Sequence, residues 1–422
     1  MDPVVVTLLL LLFAVVMFVW EKIPLAVTSM LVCIALVLLK VLSVKDAFAG
    51  FTNTNVILFV AMFIVGGALF ETGMANKIGG VITRFAKTER QLIVVIMTVT
   101  GLMPGFLSNT GTAAVLIPVV IGIAAKSGFS RSKLLMPLVF AAALGGNLSL
   151  IGAPGNLIAQ TALQEMGLSF GFFEYGLVGL PMLICGILFY ATVGYRLLPD
   201  ITPAEGSGTF AQEVDYSHVP AWKQNAALII LVVTVLGMIF EEKIGVSLAI
   251  TGCVGALVLV LTGVISEKDA YKAIDMQTIF LFGGTLALAK ALESTGAGNL
   301  MAEKVIGLLG ENASPFMLLV AVFMIACTLT NFMSNTATTA LLVPISVSIA
   351  SGMGADPRAV LMATVIGGSC AYATPIGMPA NTMILGPGGY KFKDYVKAGL
   401  PLIIVSTVVS LILLPIFFPF YP

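Results

Sequence analysis

Charge is what this chain has least of. Only 10% of its 422 residues are Asp, Glu, Lys or Arg, and 59% are hydrophobic; an ordinary soluble domain has about 25% and about 45–50%. Such a composition excludes a soluble fold. The 21 Lys and Arg equal the 21 Asp and Glu in number, so no basic excess is present to hold nucleic acid. Histidine occurs once, at His218, in a polar stretch where a solvated loop residue is expected. The five cysteines (Cys33, Cys185, Cys253, Cys327 and Cys370) lie singly in apolar runs with no CxxC and no metal-ligand spacing, and read as small core hydrophobes. An intramembrane hydrolase needs a His, an Asp pair or a metal motif. The lack of these speaks against an enzyme.

What is present is a series of uncharged segments, each near the roughly 20 residues that a membrane helix needs. In the first half they fall at 4–20, 24–39, 54–70, 134–164 and 174–195, with a further apolar stretch at 91–125. The segment at 4–20 has no basic leader and no small-residue cleavage site, so it is expected to span and not to be a signal peptide. The stretch at 91–125 is too long for one crossing and is broken by Pro104-Gly105 and Ser108-Asn109-Thr110. A re-entrant helical hairpin fits it better. The segment at 134–164 is interrupted at Gly152-Ala153-Pro154-Gly155.

After a polar linker at 197–222 the pattern returns, with helices expected at 225–241, 244–265, 276–292, 357–387 and 396–418 and a second broken stretch at 313–350. Lys45-Asp46-Ala47 recurs as Lys268-Asp269-Ala270, Ser108-Asn109-Thr110 as Ser334-Asn335-Thr336, and Gly152-Ala153-Pro154-Gly155-Asn156 as Gly377-Met378-Pro379-Ala380-Asn381. The offsets are 223, 226 and 225, and nine of seventeen positions from Ser108 to Ala124 match those from Ser334 to Ala350. The chain is therefore read as a duplication, 1–196 and 223–422 around the linker. Five crossings in each half make the two repeats inverted. On this layout fifteen Lys and Arg lie on the linker side, among them Lys77, Arg84, Lys87, Arg90, Lys126, Arg131 and Lys133, and six on the other. The positive-inside bias then places the linker in the cytoplasm and both termini outside a cell membrane crossed many times.

Inverted repeats that each carry a discontinuous helix are the signature of secondary transporters with a midplane site between the halves. The Ser-Asn-Thr motifs open the second arm of each hairpin, where free backbone N–H groups and the positive end of the helix dipole would face an anion. The breaks at Gly152 and Gly377 free backbone carbonyls that suit a hard monovalent cation. Ser, Asn and Thr also cap ordinary helix starts, and Gly-Pro also kinks helices. A matched pair of both at mid-membrane, where exposed caps are not tolerated, argues for a site. No charged side chain falls in either hairpin or in the cores of the broken helices, which removes the usual parts of a proton relay. It also removes the cationic ring of an anion channel.

The doubled Ser-Asn-Thr motif, the run Gly145-Gly146-Asn147-Leu148-Ser149-Leu150-Ile151-Gly152, and Ala373-Thr374-Pro375-Ile376-Gly377-Met378-Pro379-Ala380-Asn381 resemble the divalent anion/sodium symporter family over nearly the whole chain. The resemblance implies an all-α polytopic membrane protein of two inverted repeats of five helices. It implies a homodimer in the lipid bilayer working as an elevator, in which outer helices form a scaffold and hairpins with broken helices form a mobile unit. It implies symport of sodium with a di- or tricarboxylate such as succinate, or with sulfate. Family sodium positions fall on Ser108, Asn109 and Gly152, and on Thr330, Asn335 and Gly377. Anion contacts fall on Asn109, Thr110, Asn335 and Thr336, flanked by Pro154 and Pro379. Departures at six positions bear on the substrate: Ala153 and Met378 replace Thr, Gly155 and Ala380 replace a second Pro, Pro104 replaces Ser, and Asn331 replaces Glu. The alternatives are a sodium-independent exchanger, or a sodium/proton antiporter or arsenite exporter of the broader superfamily.

Overall fold

A computed structural model describes residues 2–20, 22–79, 88–201, 216, 218–298, 300–301, 304, 314–375 and 377–421. Arg84, Lys87, most of the linker and Ile376 lie outside the described residues. Within them the chain is helical and no strand occurs. In lipid only a helix or a closed barrel can satisfy every backbone group, and long apolar runs without alternation take the first solution.

Among the described residues the longer helices number eight in each half. The first half has α1 (Pro3–Trp20), α2 (Leu25–Leu38), α3 (Thr54–Glu71), α4 (Glu89–Leu102), α5 (Asn109–Ser127), α6 (Arg131–Gly145), α7 (Pro154–Glu165) and α8 (Gly176–Ala191). The second has α9 (Ala221–Ile239), α10 (Leu248–Leu261), α11 (Met276–Thr295), α12 (Pro315–Thr330), α13 (Asn335–Gly352), α14 (Pro357–Gly368), α15 (Pro379–Gly388) and α16 (Phe392–Phe417). Element for element, the second series repeats the first. The repeated Lys-Asp-Ala triplets, which hydropathy left unassigned, lie on two short matched helices, Val44–Phe48 and Glu267–Ala273. Ser43 and Ser266 cap them, each Oγ accepting from the amide three residues on, at 3.1 and 3.2 Å.

Among the described residues three stretches, Val44–Glu71, Ala221–Ile239 and Phe392–Phe417, are long and apolar enough to cross a membrane, and seven more helices are apolar but shorter. Large apolar side chains point outward from these helices: Leu38 is 75% exposed, Leu261 82% and Ile416 66%. In water such a surface would aggregate; against lipid tails it costs nothing. The reverse holds for α6 and α14. Every residue from Leu134 to Gly145 and from Ala359 to Gly368 is buried, so these two half-helices, apolar on all sides, form the centre of the molecule.

The breaks are longer than the Gly-Pro motifs suggest, taking in 146–153 and, among the described residues of the second, 369–375 and 377–378. A pair of asparagines explains how unwound backbone survives in an apolar core. Asn156 Nδ2 donates to the carbonyls of Gly146 and Ser149 at 2.9 and 2.7 Å, and Asn381 Nδ2 to those of Ala371 and Thr374 at 2.7 and 2.9 Å. Tyr175 and Tyr395 then donate to the backbone carbonyls of Asn156 and Asn381 at 2.9 and 2.6 Å. Ser149 donates to the Gly105 carbonyl and Thr374 to that of Asn331, which ties each break to its own hairpin tip. Outside each break a glycine lets a helix close on it. A Cβ on Gly179 of α8 would stand 1.9 Å from the Asn147 carbonyl oxygen, and one on Gly399 of α16 would stand 2.0 Å from that of Tyr372.

Packing sorts the helices into two groups. α1, α2, α3, α9, α10 and α11 pack on one another, and the hairpins, broken helices, α8 and α16 form a second body. The bodies touch chiefly where α11 meets α13 and α3 meets α7. At the second of these, Asn55 of α3 donates to Thr161 Oγ1 at 2.7 Å and to Gln164 Oε1 at 3.0 Å on α7.

Candidate functional site: two hairpin tips and two breaks around one cavity

Between the bodies lies a cavity of about 480 Å³ that gathers the predicted residues. Ser108, Asn109, Thr110, Gly152 and Pro154 line it from the first half, and Asn335, Thr336 and Pro379 from the second. Thr330 and Gly377 stand behind the second tip, within reach of Asn335 and of each other's backbone. Every residue singled out in the sequence is thus brought to one place.

Each hairpin presents its second arm N-terminus to the cavity. Ser108 Oγ accepts from Gly111 N at 2.9 Å and Ser334 Oγ accepts from Ala337 N at 3.2 Å, so both serines are caps as well as lining residues. The remaining amides of the first turn stay available to an anion. Among the described residues no Lys, Arg or His lines the cavity; the charged lining residues are Glu71 and Asp275, at the end of α3 and the start of α11.

The second tip is an oxygen cluster short of hydrogens. Thr330 Oγ1 is 2.9 Å from Asn335 Oδ1 and also in hydrogen-bond contact with the Gly368 carbonyl. One hydroxyl hydrogen serves two acceptors there, which leaves lone pairs unmatched. A Cβ on Gly377 would stand 2.6 Å from the Thr330 carbonyl oxygen, so a further carbonyl faces the break. That donor set, hydroxyl, amide carbonyl and backbone carbonyls, fits a hard monovalent cation. In the first half the carbonyls of Gly146 and Pro104 face Gly152, at 2.6 and 2.9 Å from where its Cβ would be. Pro104 brings no hydroxyl, and Asn109 Oδ1 accepts from Thr110 N at 2.8 Å.

Sequence reasoning missed the residues that build this geometry without lining it. Asn331, noted only as a departure, donates to the Cys327 and Cys370 carbonyls at 2.7 and 3.1 Å and accepts from Ala373 N at 2.9 Å. Asn156 and Asn381 were visible as repeated letters, and their recurrence was the available signal. Ser369 and Thr339, both on the cavity wall, carried none.

A helical membrane protein with paired hairpins and paired breaks converging on one polar cavity is a membrane transporter and not an enzyme. The chain belongs to the citrate transporter family, whose model matches residues 15–367. An uncharacterized transporter of Haemophilus influenzae is 29% identical over 425 residues, covering 95% of this chain and 89% of that one. The sodium-dependent dicarboxylate transporter SdcS of Staphylococcus aureus strain USA300 is 24% identical over 428 residues, covering 93% and 82%. Among solved structures, the YdaH transporter of Alcanivorax borkumensis superposes with a TM-score of 0.65 at 16% identity, over 89% of this chain and 88% of that one.

Proposed function

We propose that the chain is a sodium-coupled symporter of a divalent anion, a di- or tricarboxylate such as succinate or a sulfate-like ion, working as an elevator in a cell membrane. The observation that carries this reading is the oxygen cluster at Thr330, Asn335 and Gly368, set beside two helix N-termini in a cavity with no cationic side chain among the described residues. A dianion entering such a site costs several kcal/mol per charge unless opposite charge comes with it. Sodium at Thr330, Asn335 and Gly377, and at Ser108, Asn109 and Gly152, supplies that charge. Asn109, Thr110, Asn335 and Thr336 hold the anion, with Pro154 and Pro379 starting the helices beside it. The relative named for sodium-dependent dicarboxylate transport supports the choice of ion.

The two helix groups and their narrow contact support rigid movement of the hairpin body along the other. The charge asymmetry of the sequence supports a cytoplasmic linker with both termini outside, and the family resemblance supports a homodimer. The test is uptake of labelled succinate and sulfate into proteoliposomes under an inward sodium gradient. Uptake is expected with sodium and not with choline in its place. Equal uptake in both would replace symport by sodium-independent exchange.

A further inference from the structure

The two asparagines at the hairpin tips are held differently. Asn335 has its Oδ1 fixed by Thr330, and its Nδ2 has no partner among the described residues, so that amide is open to the cavity. Asn109 has its Oδ1 on the Thr110 amide, and its Nδ2 donates to the Met378 sulfur at 3.8 Å, across from the other repeat. Met378 is 2% exposed and lines the same cavity. Its counterpart by the repeat offset is Ala153, whose methyl group has no acceptor to offer Asn335. The arrangement has a cause one step back: Thr330 corresponds to Pro104, which has no hydroxyl to hold Asn109.

We infer that Met378 determines specificity by making the anion site one-ended. This rests on the anion-symport reading above. The Asn335 amide, Thr336 and the first turn of α13 stand free at the second tip, whereas at the first a thioether takes the Asn109 amide and the Asn109 carbonyl takes the Thr110 N–H and hydroxyl. A compact oxyanion of sulfate type, with its whole charge at one point, is satisfied by one tip. An extended dicarboxylate must set its second carboxylate against Met378 or displace the sulfur from Asn109, and loses a charge-assisted hydrogen bond if it does neither. Replacing Met378 by Thr frees Asn109 and adds a hydroxyl at the same place.

The experiment measures sodium-driven uptake of labelled sulfate and of labelled succinate, and the inhibition of sulfate uptake by succinate, for the native chain and for Met378→Thr and Met378→Ala. The native chain is expected to prefer sulfate. Met378→Thr should lower the succinate concentration for half-inhibition about tenfold, the effect of one hydrogen bond to a charged group. Met378→Ala, which uncovers Asn109 without adding a donor, should shift it in the same direction by less. A native preference for succinate, or an unchanged ratio in both variants, overturns the role of Met378 and leaves the symport reading standing. Sodium-driven uptake of neither anion by any of the three proteins overturns both.

Discussion

The two halves of this chain agree where asparagine and tyrosine hold a helix open and disagree around the hairpin tips. Asn156 and Asn381 bridge equivalent carbonyls, Tyr175 and Tyr395 lock the same backbone positions, and Ser149 and Thr374 tie each break to its hairpin. Pro104 against Thr330, Gly105 against Asn331, and Ala153 against Met378 are among the differences, the first two pairs behind the tips and the third on the cavity wall. Unwound backbone in an apolar core has few stable solutions, so duplication keeps the one that works. The ligand faces need only be jointly adequate, and they are free to diverge.

The comparison can be broken most directly at the frame. Asn156→Ala and Asn381→Ala each strip two buried carbonyls of their donor, at about 1–3 kcal/mol per group. Both variants should lose thermal stability heavily and by similar amounts in detergent-solubilised protein, and a large loss in one alone would deny the shared frame. The tips should respond unequally. Asn335→Ala is expected to reduce sodium-driven anion uptake more than tenfold, and Asn109→Ala severely but less, because its amide is already engaged by Met378. Equal losses would restore a symmetric site. Thr330→Ala should raise the sodium concentration for half-maximal uptake several-fold, while Pro104→Ala barely moves it. The smallest effect is expected away from both tips, at Asn55→Ala. Losing the bonds to Thr161 and Gln164 should alter the maximal uptake rate while the half-saturating sodium concentration stays put, since they join the two bodies and touch no ligand.

The helices and the doubled motif were legible because lipid imposes one solution on uncharged runs and because duplicated letters survive at a fixed offset. The hairpins at 91–125 and 313–350 were legible for the same reason, with Pro104 and the Ser-Asn-Thr motifs marking their turns. The extent of the breaks was not, since Gly146 to Leu150 is as apolar as a helix and only the hydrogen bonds of Asn156 show that it unwinds. Nor was the contact between Asn109 and Met378, because 269 residues separate the two and neither position signals the other. Composition tells which side chains are buried, and not whom they meet.

The glycines that admit α8 and α16 onto the breaks carry a consequence for electrostatic work. With Gly179 against the Asn147 carbonyl and Gly399 against that of Tyr372, the unwound carbonyls are clamped between helices of a single body. If the hairpin body moves as proposed, an ion seated among them would keep the same oxygen neighbours at every depth it visits. Its solvation shell would then travel as cargo, assembled once at loading and dismantled once at release, and the low-dielectric interior would never meet a bare charge.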